Sequence, residues 1–209
     1  MSHSALSIAE DILTYDRELS LMPPPAVRSI GYLLFWQYSK IISESAGRGK
    51  ANYGFIMDRF KKFQAGQINW STSIREYIKE REDKERCLYC GEKGSLTLEH
   101  ILPRARGGPD EPGNAVWACR RCNSSKGEKR LYAWFGLENG NRIPGIAEGK
   151  YLKILYELHR KAGTLRTKDM SILCHRCDLE PLCPERGKLT VYCLEGLFTK
   201  SGKAEGNIG

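Results

Sequence analysis

The spacing of eight cysteines constrains this chain more than any other feature of its sequence. None occurs before Cys87; after it come two clusters, Cys87, Cys90, Cys119 and Cys122, then Cys174, Cys177, Cys183 and Cys193. An even count is compatible with disulfides. Paired C-x-x-C turns in a chain whose first residues lack a basic patch followed by an apolar core point instead to metal coordination in a reducing compartment, the cytoplasm. In the first cluster two C-x-x-C pairs stand 28 residues apart. Four thiolates suit tetrahedral zinc, and the long gap means that the metal staples the base of an inserted element. Such a closed site is structural, with no vacant position for substrate. In the second cluster the order C-x2-C-x5-C and a more remote Cys193 fits a structural zinc, the first expectation. An iron–sulfur cluster is its rival, because this ligand order is compatible with cubane ligation.

The 209 residues divide by pattern into three regions. Residues 1–85 read as helical. Ser4 caps a segment carrying Ile8, Ile12 and Leu13. Pro23–Pro25 break and restart the chain, and Val27, Ile30, Leu34, Tyr38 and Ile41 then form a core-facing stripe to about Ser45. Phe55, Ile56, Phe60 and Phe63 follow, and Ser73 to Glu76 reads as a capping box opening a helix to about Glu85. Residues 86–136 change character. Leu96–His100 and Asn114–Trp117 read as strands around a Pro/Gly loop, with helix from Cys119 to about Phe135. Residues 137–209 hold a helix near Ala147 to Ala162, the second cysteine cluster and a Gly/Lys-rich tail. The expected class is α+β, mainly helical. The most apolar run, Gly31 to Trp36, is far too short to cross a membrane.

Lys and Arg number 33 against 25 Asp and Glu, a net charge of +8 that favours a polyanionic partner. The excess concentrates in two windows. Arg48 to Lys62 opposes five basic residues with Asp58 alone, and Ile101 to Arg130 opposes seven with Asp110, Glu111 and Glu128. In the first window the aromatics belong to a core and the charges to solvent or phosphate. The Gly47–Lys50 loop lacks the P-loop pattern, which excludes that nucleotide-binding motif. His3 and His159 read as surface residues.

Inside the first cysteine frame the order is Leu98-Glu99-His100-Ile101-Leu102-Pro103-Arg104, Gly107-Gly108, Asn114, then Cys119-Arg120-Arg121-Cys122-Asn123 with Lys126-Gly127. This resembles the HNH endonuclease family in its cysteine-framed branch, over about a quarter of the chain. The resemblance implies a ββα-metal core, flanked here by the N-terminal helical region and a C-terminal four-cysteine module, and hydrolysis of phosphodiester bonds. It makes His100 the general base, a role that imidazole suits because its pKa lies near neutrality. Asn114 braces the loop and orients His100. Glu99 and Asn123 become oxygen ligands of a catalytic cation, Mg²⁺ or Mn²⁺. Arg104, Arg106, Arg120, Arg121 and Lys126 become candidates for phosphate contacts. Glu99 stands where the family often has Asp, and Asn123 where it often has His.

The implied substrate is DNA, with RNA open, since a core of this kind reads backbone phosphates. One site cuts one strand, so a monomer nicks and a homodimer could cleave both. The competing reading is a non-catalytic zinc-dependent nucleic-acid-binding protein. That reading explains the charge and the cysteines and leaves the set Glu99, His100, Asn114 and Asn123 to coincidence.

Overall fold

A computed structural model describes residues 23–70, 83–170, 174–175 and 177–196. The helices expected around Ser4 and Ser73, and His3, lie outside them. Helix α1, Ile30–Ser45, starts at Ser29, whose hydroxyl accepts from the Tyr32 N–H at 3.2 Å. Its stripe of Ile30, Leu34, Tyr38 and Ile41 is buried as the spacing predicts, and Val27 joins it from the preceding turn. Asn52 caps α2, Tyr53–Gln64, in the same manner, and Ile56, Phe60 and Phe63 turn inward against α1.

The two strands are β1, Leu96–His100, and β2, Ala115–Cys119. They pair antiparallel with Leu96 opposite Cys119 and His100 opposite Ala115. Alternation sends Glu99 inward with its partner Val116, while Leu98, on the opposite face, stays exposed. The chain runs from β2 directly into α3, Arg120–Lys126. Gly127, at φ 49°, ends it, so the expected helix to Phe135 is two pieces, the second being α4, Leu131–Phe135. The long helix α5, Gly145–Lys161, buries Tyr151, Leu152 and Leu155 against α1. A short α6, Tyr192–Glu195, carries Cys193.

One apolar core draws on α1, α2, α4, α5 and α6 and takes in Ile101 and Leu102 just beyond β1. Three buried polar clasps cross it. Glu195 accepts from Tyr132 N–H at 2.9 Å and Tyr151 Oη at 2.7 Å, and Arg130 donates to the Glu195 carbonyl at 3.0 Å. Lys50 pairs with Glu148 at 2.6 Å and donates to the Ile143 carbonyl. His159, expected at the surface, is fully buried. Its Nε2 donates to the Leu194 carbonyl at 3.0 Å and its Nδ1 lies 2.7 Å from Thr164 Oγ1. The helix turns this histidine toward α6, a direction that a neighbouring arginine in sequence does not reveal. No helix among the described residues is long and apolar enough to cross a membrane.

Candidate active site and cysteine centres

The first cysteine set converges. Cys87 opens a tight turn in which Gly91 N–H returns to its carbonyl at 2.8 Å, and Leu88 N–H pairs with the Trp117 carbonyl, tying the turn to β2. Cys119 ends β2 and caps α3, its sulfur accepting from Cys122 N–H at 3.5 Å. The four Sγ atoms all lie within 4.8 Å of one another, and Cys90 and Cys119 stand 3.7 Å apart. That is the spacing of a zinc centre: a tetrahedral ion with Zn–S of about 2.3 Å sets its sulfurs roughly 3.8 Å apart. The four thiols can hold one zinc. Burial works against ionising Cys87, but N–H groups of Cys119, Cys90 and Tyr89 outweigh it and draw the thiol down to about 7.

Above this base, the loop from Ile101 to Asn114 is fixed by one carboxamide. Asn114, completely buried, accepts from Leu102 N–H at 2.8 Å and donates to the carbonyls of Leu102 and Pro109, each at 2.8 Å. A Cβ at Gly108 would fall 1.9 Å from the Leu102 carbonyl oxygen, so only glycine passes beside the clasp. The loop carries Asp110 back to His100, with Oδ1 3.1 Å from Nε2, and Arg104 closes on the other oxygen at 3.4 Å. The imidazole is 26% exposed and sits at the mouth of the hairpin. Its hydrogen bond to Asp110 and the charge of Arg104 hold the Asp110 carboxyl below its usual range. Sequence reasoning counted Asp110 only as a charge; it lies ten residues from His100 in an irregular loop, where no periodicity marks it.

Glu99 is placed differently. Its side chain is 3% exposed and both oxygens are engaged: Oε1 lies 2.5 Å from Lys126 Nζ, and Oε2 accepts from Tyr89 Oη at 2.6 Å. Lys126 is fully buried and also donates to the His100 carbonyl at 2.9 Å. Burial draws the Lys126 pKa below its ordinary value while the Glu99 carboxylate holds it up. The expectation that Lys126 contacts phosphate is therefore corrected: its ammonium is spent inside the hairpin. Lys50, in the other basic window, is corrected for the same reason. Asn123 donates from Nδ2 to Thr97 Oγ1 at 2.9 Å, a bond that does not use its amide oxygen.

The carboxylate and amide are donor types that suit a hard cation. The pair does not form an open cage, because an ammonium and a phenol already occupy the carboxylate. Among the arginines, Arg104 and Arg120 are exposed beside the hairpin. Arg121 pairs with Glu92 at 3.1 Å. Arg106 donates to the Glu128 carbonyl and meets Asp178 at 3.3 Å.

Residues 87–129 match the HNH endonuclease family. The match covers about a fifth of the chain and contains the first cysteine set, His100, Asn114, Asn123 and Lys126. No curated protein and no solved structure matches the chain. The HNH segment is joined to the second cysteine region through Asp178, which receives Arg130 at 2.6 Å as well as Arg106. In that region Cys174, Cys177, Cys183 and Cys193 line one pocket, and burial pushes the Cys193 thiol up to about 11. Their sulfurs do not converge as the first four do. Among the described residues no other group of three or more Cys, His, Asp or Glu brings its ligand atoms together as the first set does.

Proposed function

We propose that this chain is an HNH-type endonuclease that hydrolyses phosphodiester bonds in DNA, with a ββα-metal core built from β1, β2 and α3. The observation that carries the reading is the half-open imidazole of His100, held by Asp110 at the mouth of a hairpin within the HNH match. A carboxylate only accepts hydrogen bonds, so Asp110 selects the tautomer with its proton on Nε2 and leaves the Nδ1 lone pair as the base. A water on the phosphate side gives its proton to Nδ1 as its oxygen bonds to phosphorus. The P–O bond to the leaving sugar oxygen breaks, and solvent returns a proton to that oxygen. Arg104 stands beside the dyad with its guanidinium in solvent, suited to the developing phosphate charge. Asn114 contributes by holding the loop that brings Asp110 to His100.

The family resemblance implies a divalent cation, Mg²⁺ or Mn²⁺, near Glu99 and Asn123. A cation reaches Glu99 only by displacing Lys126 or Tyr89. That same closure favours the second reading, a non-catalytic nucleic-acid-binding protein. Supercoiled plasmid incubated with Mg²⁺ or Mn²⁺ separates the two. The nuclease nicks it, or linearises it if the protein is a dimer, and both EDTA and His100→Ala abolish cutting while binding persists. Binding without cutting supports the second reading, and equal cutting by His100→Ala removes His100 from the mechanism. A single-stranded RNA in parallel settles the sugar preference.

A further inference from the structure

We propose that Arg48 and Arg59 form a second seat for the phosphate backbone of duplex DNA, on the N-terminal helical region and outside the HNH match; the choice of DNA as partner rests on the function proposed above. Both guanidiniums stand over one ring, with Arg48 Cζ 5.0 Å and Arg59 Cζ 4.8 Å from the centre of Phe55. Unlike Phe60 and Phe63, Phe55 is only half-buried, and it turns a face to these two cations. Two like charges are thus held within about 10 Å of each other, an arrangement that costs energy until an anion joins them.

The charge of the pair is not cancelled locally. Arg48 is exposed and meets no carboxylate among the described residues. Arg59 reaches Asp58 at 2.8 Å, but Asp58 also takes Lys62 at 3.1 Å, so one carboxylate serves two cations. The Nε of Arg59 is closed off from water with no acceptor among the described residues. Glu44, the last acid before the loop, lies 3.5 Å from the Lys50 ammonium. Neighbouring guanidiniums offer donors in fixed forks that match phosphate oxygens, and a nucleic-acid backbone supplies such oxygens at regular intervals.

The loop Gly47–Lys50 presents Arg48 in a set position. Arg48 N–H donates to the Ser43 carbonyl at 2.9 Å, and the hydroxyl of buried Ser43 donates to the Gly49 carbonyl at 2.6 Å. Next along the chain, Lys50 is anchored on Glu148 of α5. Two residues beyond Glu148, Lys150 Nζ donates to the carbonyl of Ala115, the residue opposite His100, at 2.7 Å. The seat and the strand end that carries His100 therefore belong to one frame. A backbone phosphate gripped at Arg48 and Arg59 fixes the register of the duplex on the protein without reading its sequence, the usual duty of phosphate contacts.

The test is binding of a labelled duplex of about thirty base pairs in EDTA, titrated across about 50–200 mM salt, which reads the surface apart from cutting. Arg48→Ala combined with Arg59→Ala should weaken binding about tenfold and flatten the slope of log Kd against log salt by about 2, near the roughly 0.9 expected per phosphate contact. Arg48→Ala alone removes an exposed side chain and should take about half of that slope, so the result stands even where loss of Arg59 disturbs the fold. Lysine at both positions should restore most of the slope, since the charge is kept. Wild-type affinity and slope in both alanine variants overturn the seat, as does an equal change in Lys153→Ala, which removes an exposed cation on α5. Normal plasmid cutting beside that result leaves the nuclease reading standing. Plasmid left uncut while the arginine variants lose slope removes the nuclease reading and keeps the seat.

Discussion

Glu99 and His100 are neighbours on one strand, and the hairpin treats them in opposite ways. Glu99 turns beneath the sheet, where an ammonium and a phenol hold both its oxygens. His100 turns outward to a loop carboxylate and keeps a quarter of its surface in water. The pleat alone makes this division, since successive side chains leave a strand on opposite faces. The teaching is that one dipeptide can anchor a fold and present an imidazole to solvent at once, provided that the anchoring side is satisfied internally. Lys126 links the halves: it neutralises Glu99 and also donates to the His100 carbonyl, so the strand end cannot drift.

The sharpest way to break this contrast is to remove each member. His100→Ala should lower cleavage by about 10²–10⁴-fold, the usual worth of a general base, and leave the melting temperature nearly unchanged. A large loss of stability would show that His100, too, is an anchor. Lys126→Met should do the reverse in the first instance and destabilise the fold by about 3–5 kcal/mol, because it strands a buried carboxylate. Urea denaturation measures it, and a wild-type midpoint would mean that the sealed face holds nothing.

A second histidine sharpens the comparison. Burial drives the His159 pKa down to about 4, against about 6.5 for an unfolded histidine. The folded state therefore binds fewer protons between those values. The His159 contribution is full above pH ~6.5 and falls away as the pH drops toward 4, by about 3 kcal/mol in all. The buried Glu195 carboxyl, pushed up to about 7, contributes the opposite slope over much of that range, so the His159 part is read as the difference in melting temperature between wild type and His159→Gln. His100→Ala should leave it in place. The smallest effect belongs to Asp110→Asn, which removes the tautomer preference at an exposed, solvent-screened site. A loss of about tenfold in cleavage with unchanged DNA binding is expected.

Where burial follows a simple period, the sequence was readable. The stripe from Val27 to Ile41 and the face Tyr151, Leu152, Leu155 are core residues at helical spacing, and β1 spans Leu96–His100 as its alternation suggests. The first cysteine set was legible from its paired turns, and the family resemblance alone pointed to a bracing Asn114. What escaped were contacts whose partners are distant or irregular in sequence. Tyr89 sits inside a C-x-x-C and reaches Glu99; Asp110 returns through a Pro/Gly loop; Lys50 and Lys126 look like solvent charges until the packed fold supplies Glu148 and Glu99. Charge in a sequence reports supply, not where it is used. The cysteine spacing of the second set admits two metals, and order along the chain does not choose between them.

The clasp made by Asn114 has a consequence for how this region tolerates change. Because one side chain and the bare backbone of Gly108 fix both ends of the crossing, the side chains of the intervening rim bear no duty beyond Asp110, Arg104 and Arg106, the last of which reaches Asp178. A library randomised from Pro103 to Gly113 and selected for function should therefore return Gly108 and Asp110 almost unaltered, with exposed Glu111 drifting freely. The crossing is a cassette: packing fixes its hinge, and its outward lettering is open to change.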